Sequence, residues 1–273
     1  MCLSVSGTKA QISPGMLSGV AGNTDTEIRT DEFEVNRPYA GDMTLLSSAC
    51  LNGNDEKIID DLLAKGGNPN FKTYRGITPL MYAAANRYGN PYCLKRLLRL
   101  GIAPNGTDNC RRTALMIAAG QKNPEFVRLL LSYGANVHAR DSRGGTALFY
   151  AVKFNDNAEV TKLLLAAGAS VFLRGNHNNL ILNEAAGSNP NPEIIDLLLR
   201  YGADINAGNS DYATPLIFAA RLNPNLEVVD LLLRRGANAK IRTRFGYKAI
   251  DFAALNPVLR NSEVYKKLEK ASK

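Results

Sequence analysis

Two histidines, His138 and His177, and four cysteines, Cys2, Cys50, Cys93 and Cys110, are the residues of this 273-residue chain best suited to nucleophilic or metal chemistry. A zinc site needs three or four such ligands at bonding range. The cysteines show no CxxC spacing and are too few for a disulfide scaffold; Cys50 and Cys93 fall inside apolar helical stretches and read as small buried side chains. No HExxH, GxSxG or phosphate-cradling glycine loop occurs. The adjacent Asp60 and Asp61 belong to a solvated helix face, and Asn105-Gly106-Thr107 matches a glycosylation sequon that arises often by chance. No catalytic residue, cofactor or metal is therefore expected. The enzymatic alternative is a small metal-assisted site formed by His138 and His177, with Cys110 as a further ligand.

What must hold these side chains in place is a repeat. The stretch from Thr214 to Ala237 reads TPLIFAARL, breaks at Asn223-Pro224-Asn225, and continues LEVVDLLLRRGA. Apolar residues recur at helical spacing on both sides of the break. Pro215 suits a first helical turn and Gly236 a left-handed cap. This predicts two short antiparallel helices joined by a tight turn, neither able to bury its apolar stripe alone. Equivalent openings stand at Thr44, Thr78, Thr113, Thr146, Leu180 and Lys248, at intervals of 33 to 35 residues, and glycines close the units at Gly66, Gly101, Gly134, Gly168, Gly202 and Gly236. Asn90-Pro91, Asn123-Pro124, Asn191-Pro192 and Pro224-Asn225 place a capping side chain or a rigid first turn before each second helix.

A period near 33 with a TPLxxAA opening, as in Thr78-Pro79-Leu80-Met81-Tyr82-Ala83-Ala84, and a close such as Leu197-Leu198-Leu199-Arg200-Tyr201-Gly202-Ala203 resembles the ankyrin repeat. The resemblance covers roughly residues 34 to 270, and the Asn/Pro-rich turns look similar to those of bacterial members. It implies an all-α solenoid of about seven helix-turn-helix units with β-hairpin fingers, whose fingers and first helices form a concave binding face. It also implies a non-catalytic protein-interaction module acting as adaptor, inhibitor or effector. Two departures matter. The family's His after TPL is replaced by Met81, Met116, Phe149, Asn183 and Ile217, so its hydrogen bond is expected to be missing. The unit opening at Leu180 has neither Thr nor Pro.

The fingers decide what such a face would hold. Six positions before each opening stand Lys72, Thr107, Arg140, Arg174, Gly208 and Arg242. The Asp that the family usually places next survives only as Asp108 and Asp141. Arg75, Arg111, Arg112, Arg143 and Arg244 add further positive charge, in a chain of net charge +8. Such a surface favours acidic partners and salt-sensitive binding. Tyr74, Phe154, Arg221 and Phe245 supply the large groups that often anchor interfaces. The partner residues expected are thus Lys72, Tyr74, Arg75, Arg112, Arg140, Arg143, Phe154, Arg174, Arg221, Arg242, Arg244 and Phe245. The partner is another protein with acidic surface groups. The basic residues form no dense run with interleaved aromatics, which argues against nucleic acid.

Residues 1–33, rich in Ser, Thr, Gly and Asp without periodicity, read as a flexible tail before a repeat domain over 34–273. Val35-Asn36 forms half a finger, which leaves a further alternative, the repeat portion of a larger assembly, and the first and last units read as polar caps. No apolar run approaches a membrane span, and the few cysteines fit a reducing, cytoplasmic setting and a chain monomeric on its own. With its opening uncapped, the Leu180 unit is expected to be the softest. Hydrogen exchange should be faster in its helices than in those that open at Thr78 and Thr214; equal protection would refute this.

Overall fold

The computed structural model describes residues 35–273 apart from 40, 41, 54, 87 and 174–178. The expectations for residues 1–33, Arg174 and His177 lie outside the described residues. The helices come in pairs: α1 (Leu45–Asn52) with α2 (Glu56–Ala64), α3 (Pro79–Ala84) with α4 (Tyr92–Arg99), and α5 (Ala114–Ala119) with α6 (Pro124–Ser132). Four further pairs follow: α7 (Ala147–Phe154) with α8 (Ala158–Ala166), α9 (Ile181–Ser188) with α10 (Pro192–Arg200), α11 (Pro215–Leu222) with α12 (Leu226–Arg234), and α13 (Ala249–Ala253) with α14 (Glu263–Ser272). Two compact units emerge, the first running to Ala118 with Arg128–Asn136 and the second comprising Ala119–Val127 with Val137–Lys273.

Local chemistry sets the helix starts. The hydroxyls of Thr44, Thr78, Thr113, Thr146 and Thr214 each accept from the backbone N–H three residues on, at 3.3–3.4 Å. Lys248 has no hydroxyl, and its own N–H instead donates to Asp251 Oδ2 at 2.7 Å. Leu180 makes no side-chain cap at all. Most second helices begin on Asp or Asn: Asp55 accepts from Lys57 N, and Asn157, Asn191 and Asn225 accept from the N–H of Glu159, Glu193 and Glu227, while α4 starts at Pro91 and α14 at Ser262. Those glutamates sit in the first turn, where the helix dipole favours negative charge. Each unit ends in a left-handed glycine, with φ between 81° and 91° at Gly66, Gly101, Gly134, Gly168, Gly202 and Gly236. A side chain there would be strained, which is why the sequence beat is glycine.

The core is a row of small and branched side chains. First helices carry alanine pairs flanked by leucine, such as Leu182, Ala185 and Ala186, all essentially inaccessible. In the second unit α7, α9, α11 and α13 pack in sequence, and α8, α10, α12 and α14 form a parallel second row. In the first unit α1 packs on α3 and α2 on α4. A fully buried leucine or isoleucine contributes roughly 1.5–3 kcal/mol, so one hairpin's handful cannot offset its ordering cost of roughly 1–2 kcal/mol per residue.

Polar bonds tie each hairpin to the one before it. Asn155, Asn189 and Asn223 are buried at the end of their first helices. Asn189 Nδ2 donates to the carbonyls of Val152 and Asn155 at 2.7 and 2.9 Å, and Asn223 Nδ2 to those of Ala186 and Asn189 at 2.8 Å each. Asn155 reaches Ala119 and Gln121 in the same way, Asn86 reaches Cys50, and Asn256 reaches Ala220. The Oδ1 atoms of Asn155, Asn189 and Asn223 hold the N–H of Asn157, Asn191 and Asn225. The Nδ2 of these second asparagines donates back to Lys122, Asp156 and Pro190. The Asn-x-Asn turns, expected only to cap helices, also stitch neighbours together. Val35 is fully buried and Asn36 bonds Gly66 O and Asn68 N at 2.8 and 2.6 Å, as Asn105 bonds Gly134 O and Asn136 N.

Three expectations are corrected. Cys50 and Cys93 are buried, but as a disulfide between α1 and α4 with Cα atoms 5.4 Å apart. Their separation of 43 residues is not a multiple of the repeat, so periodicity gave no hint of the pairing. Among the described residues no cysteine is free, which removes Cys110 as a thiolate ligand. The third correction concerns Asn183, whose Nδ2 donates to the carbonyls of Ala207 and Ala213 at 3.3 and 2.9 Å. An amide here supplies a bond to the next finger at a position expected to lack one.

On the outer row, carboxylates bridge successive second helices. Asp60 accepts from Arg96 Nε at 2.8 Å and Tyr92 Oη at 2.5 Å; Asp196 pairs with Arg200 and Arg235; Asp230 pairs with Arg234 and Lys267 at 2.9 and 2.6 Å. The Tyr92 hydroxyl, then Arg96, holds Asp60 below the usual carboxylate range, and Lys267 above all does so for Asp230. A depressed folded-state pKa stabilises at neutral pH and is lost as pH falls through that depressed value. The urea midpoint of the wild type should therefore exceed that of Asp230→Asn at pH 7, with the gap closing as pH falls below the ordinary carboxylate range; a gap independent of pH would contradict the assignment. Asn223→Ala should cost on the order of 2–4 kcal/mol, because it strands two buried carbonyls and one buried N–H. The exposed Leu222→Ala should cost well under half of that in the same urea titration.

Candidate functional site

Five described fingers are each one tight turn built on one inward side chain, buried at Thr73, Asp108, Asp141 and Thr243 and half-buried at Asn209. The N–H of Thr73, Asp108, Asp141, Asn209 and Thr243 donates to the carbonyl four residues on. Their side chains accept in return: Thr73 and Thr243 hydroxyls from Ile77 N and Tyr247 N, Asp108 Oδ1 from Cys110 N and Arg112 N, Asp141 Oδ1 from Arg143 N and Gly145 N, Asn209 Oδ1 from Asp211 N and Ala213 N. A loop this short leaves no length for a strand ladder, and only the isolated bridges Tyr39–Met43 and Thr107–Thr113 appear among the described residues. The acid of the finger is thus turn-building: Asp141 Oδ2 also receives the Tyr150 hydroxyl at 2.7 Å. Fingers are laced to their neighbours, Asn109 N and Nδ2 bonding Arg75 O and Tyr74 O in the first unit, and Arg244 N bonding Asp211 O in the second.

This construction sorts the candidate residues. In the first unit Lys72, Tyr74 and Arg75 are exposed, and the Arg75 guanidinium lies 5.3 Å from the Tyr74 ring centroid. Arg112 differs: it folds back onto buried Asp108 at 2.7 Å, with its side chain largely covered. In the second unit Arg140 and Arg143 are exposed and form no ion pair among the described residues. Phe154 is 59% exposed, stacked near Tyr150, with Lys153 Nζ 5.9 Å from its ring. Arg242 donates to Gly246 O at 2.6 Å, Arg244 pairs with Asp211 at 3.1 Å and lies 4.9 Å over Phe245, and Arg221 lies 5.7 Å over Phe252. Arg174 lies outside the described residues, as does His177, so only His138 of the histidine pair is placed. Among the described residues no three His, Cys, Asp or Glu side chains group at metal-binding range.

The structure brings Arg221 and Phe245 together. With Ile217, Phe218, Phe252 and Asp211 they line a shallow depression of about 120 Å³. Phe218 and Phe252 were not singled out in the sequence, although the signal was present. Both stand four residues after their openings, where Tyr82 and Tyr150 stand in other units, all half-buried. Arg111 and Tyr212 add a second clue. They occupy fingertip positions where Gly76, Gly144 and Gly246 hold a positive φ, yet they adopt φ of 60° and 58° themselves. A side chain in that region costs about 1–2 kcal/mol, and both are exposed, so neither is there for packing.

Comparison with known proteins places the chain. A family model described as ankyrin repeats (3 copies) matches residues 46–141, 84–175 and 182–272. The crystal structure of the human ASB11 ankyrin repeat domain superposes with a TM-score of 0.73, at 28% identity, over 85% of this chain and 99% of that one. A putative ankyrin repeat-containing protein of Treponema pallidum is 36% identical over 113 residues, 41% of this chain and 37% of that protein. The glycerophosphocholine phosphodiesterase gde1 of Schizosaccharomyces pombe is 36% identical over 126 residues, 46% of this chain but 11% of that enzyme. The chain thus spans well under two thirds of these two curated relatives. No described helix is long and apolar enough to cross a membrane. With seven helix pairs among the described residues, six glycine closes and a family match over most of its length, the chain belongs to the ankyrin repeat family.

Proposed function

We propose that this protein is a non-catalytic binding module that holds an acidic protein partner on the face built from its fingers and first helices. Ankyrin repeats are generally protein–protein interaction modules, and the partner's character is read from the charge left over. Carboxylates on the outer row are committed to neighbouring helices, as at Asp60, Asp196 and Asp230. The finger acids Asp108 and Asp141 are buried in their own turns. The charge that faces water on the fingers is mostly cationic, Lys72, Arg75 and Arg111 in the first unit and Arg140, Arg143, Lys240 and Arg242 in the second, with Asp204 and Asp211 the exceptions. The observation that carries the reading is the pair Arg140 and Arg143, exposed on a finger whose only acid is consumed by its own backbone.

Rigidity supports the same reading. Turns closed from within by Asp or Asn lose little freedom on docking, so the binding energy is not spent on ordering loops. Arg112 belongs to the framework as well as to the surface, since its guanidinium satisfies buried Asp108. The matched phosphodiesterase shares 11% of its length with this chain, and that likeness is of a repeat region here. The adaptor, inhibitor and effector roles all use the same surface.

With the full chain immobilised and extracts of its own cells passed over it, specific capture should fall about tenfold between low and 0.5 M salt. Arg140→Glu with Arg143→Glu should lower capture comparably while leaving the urea midpoint within about 0.5 kcal/mol of wild type. Capture unchanged by both treatments would refute an acidic partner.

A further inference from the structure

The geometry points to a specific subsite in the second unit: the depression between α11, α13 and their fingers receives one large apolar side chain of the partner, with a carboxylate beside it held by Arg221. This rests on the binding role proposed above and names the chemistry at one place on that face.

The floor is apolar. Ile217 is buried, while Phe218 and Phe252 are half-covered, and Phe245 stands 65% exposed at the rim. About 120 Å³ is room for a leucine, methionine or aromatic side chain entering from solvent, not for a whole peptide. Exposed aromatics of this kind gain by being covered. Tyr212, 64% exposed on the adjoining fingertip, keeps its strained φ of 58° where other fingers use glycine. Gly208, across the same turn, is forced by backbone: a Cβ there would meet Tyr212 Cα at 2.8 Å. The turn's backbone imposes that glycine, and the exposed Tyr212 ring stands on the strained residue opposite it.

Charge selects what accompanies the apolar group. The carboxylate that lines the depression, Asp211, is paired with Arg244 at 3.1 Å, and Asp251, next to Phe252 in the chain, accepts from Lys248 N at 2.7 Å. Arg221 is exposed, its guanidinium carbon 5.7 Å from the Phe252 ring centroid, and it has no carboxylate partner among the described residues. A guanidinium beside an aromatic ring and without an acid of its own offers its donors to an incoming carboxylate. The complement is therefore a segment carrying Asp or Glu, or a chain end, next to a large apolar residue. A purely acidic surface would leave the aromatics uncovered.

A random-dodecamer display library selected on the intact protein tests this directly. Enriched peptides should place Asp, Glu or a free C-terminus within two residues of Leu, Met, Phe, Tyr or Trp. In fluorescence anisotropy, replacing either group in an enriched peptide by Ala should weaken binding at least tenfold. Phe245→Ala and Arg221→Glu should do the same, with unchanged circular dichroism; both residues are exposed, so folding is not at risk. Acidic peptides that respond only to Arg140→Glu with Arg143→Glu would sink the subsite while leaving the broader binding role standing. Enrichment of neutral or basic peptides, or of none, would overturn both.

Discussion

An asparagine amide buried at the end of one hairpin's first helix finds its acceptors only on the hairpin before it. Asn189 on Val152 and Asn155, and Asn223 on Ala186 and Asn189, bind carbonyls that a helix end leaves unpaired. Leaving such groups dry and unbonded would cost more than the bond returns, so the arrangement specifies a neighbour and not merely tolerates one. Apolar burial supplies most of the driving force, since alanine pairs let first helices come close. The amides fix the register at which this happens. A hairpin displaced by one residue would bury the same alanines but strand the asparagines.

The same economy explains the surface. Carboxylates are used where they hold the fold, on the outer row between second helices and inside the finger turns. Several finger cations, Arg140 and Arg143 among them, are left facing water, whereas Arg112, Arg242 and Arg244 also hold Asp108, Gly246 O and Asp211. Fingers braced from within by Thr73, Asp108, Asp141, Asn209 and Thr243 need no help from their tips. The tips are then free to carry exposed aromatics and arginines, even at Arg111 and Tyr212 where the backbone would prefer glycine. Stability and recognition occupy different atoms of one short loop.

Much of this was legible in the sequence because it repeats. Threonine caps, closing glycines and the 33-to-35-residue beat each encode a local backbone state, and local states are what sequence patterns report. The misses are all relations between units. The Asn-x-Asn turns read as caps, since nothing in one repeat reveals that the other end of the amide reaches back some 34 residues. Cys50 and Cys93 read as isolated because their partnership joins a first helix to a second helix of the next hairpin. Arg112 read as a surface charge because its partner, Asp108, looked like a neutralising neighbour and not a buried one. Asn183 read as a lost histidine, when an amide does similar work through two carbonyls. Phe218 and Phe252 were overlooked although the column of aromatics through Tyr82 and Tyr150 was there to be seen.

If hairpins owe their order to their neighbours, removing one should be felt by the next and fade with distance. Hydrogen exchange on a chain stopped after Tyr247, which lacks α13, α14 and the Asn256 bond to Ala220, measures this most directly. Amides of α11 and α12 should lose most of their protection relative to the full chain, while those of α7 keep theirs. Protection of α11 and α12 equal to that in the full chain would mean that each hairpin is stable by itself, and would contradict the account.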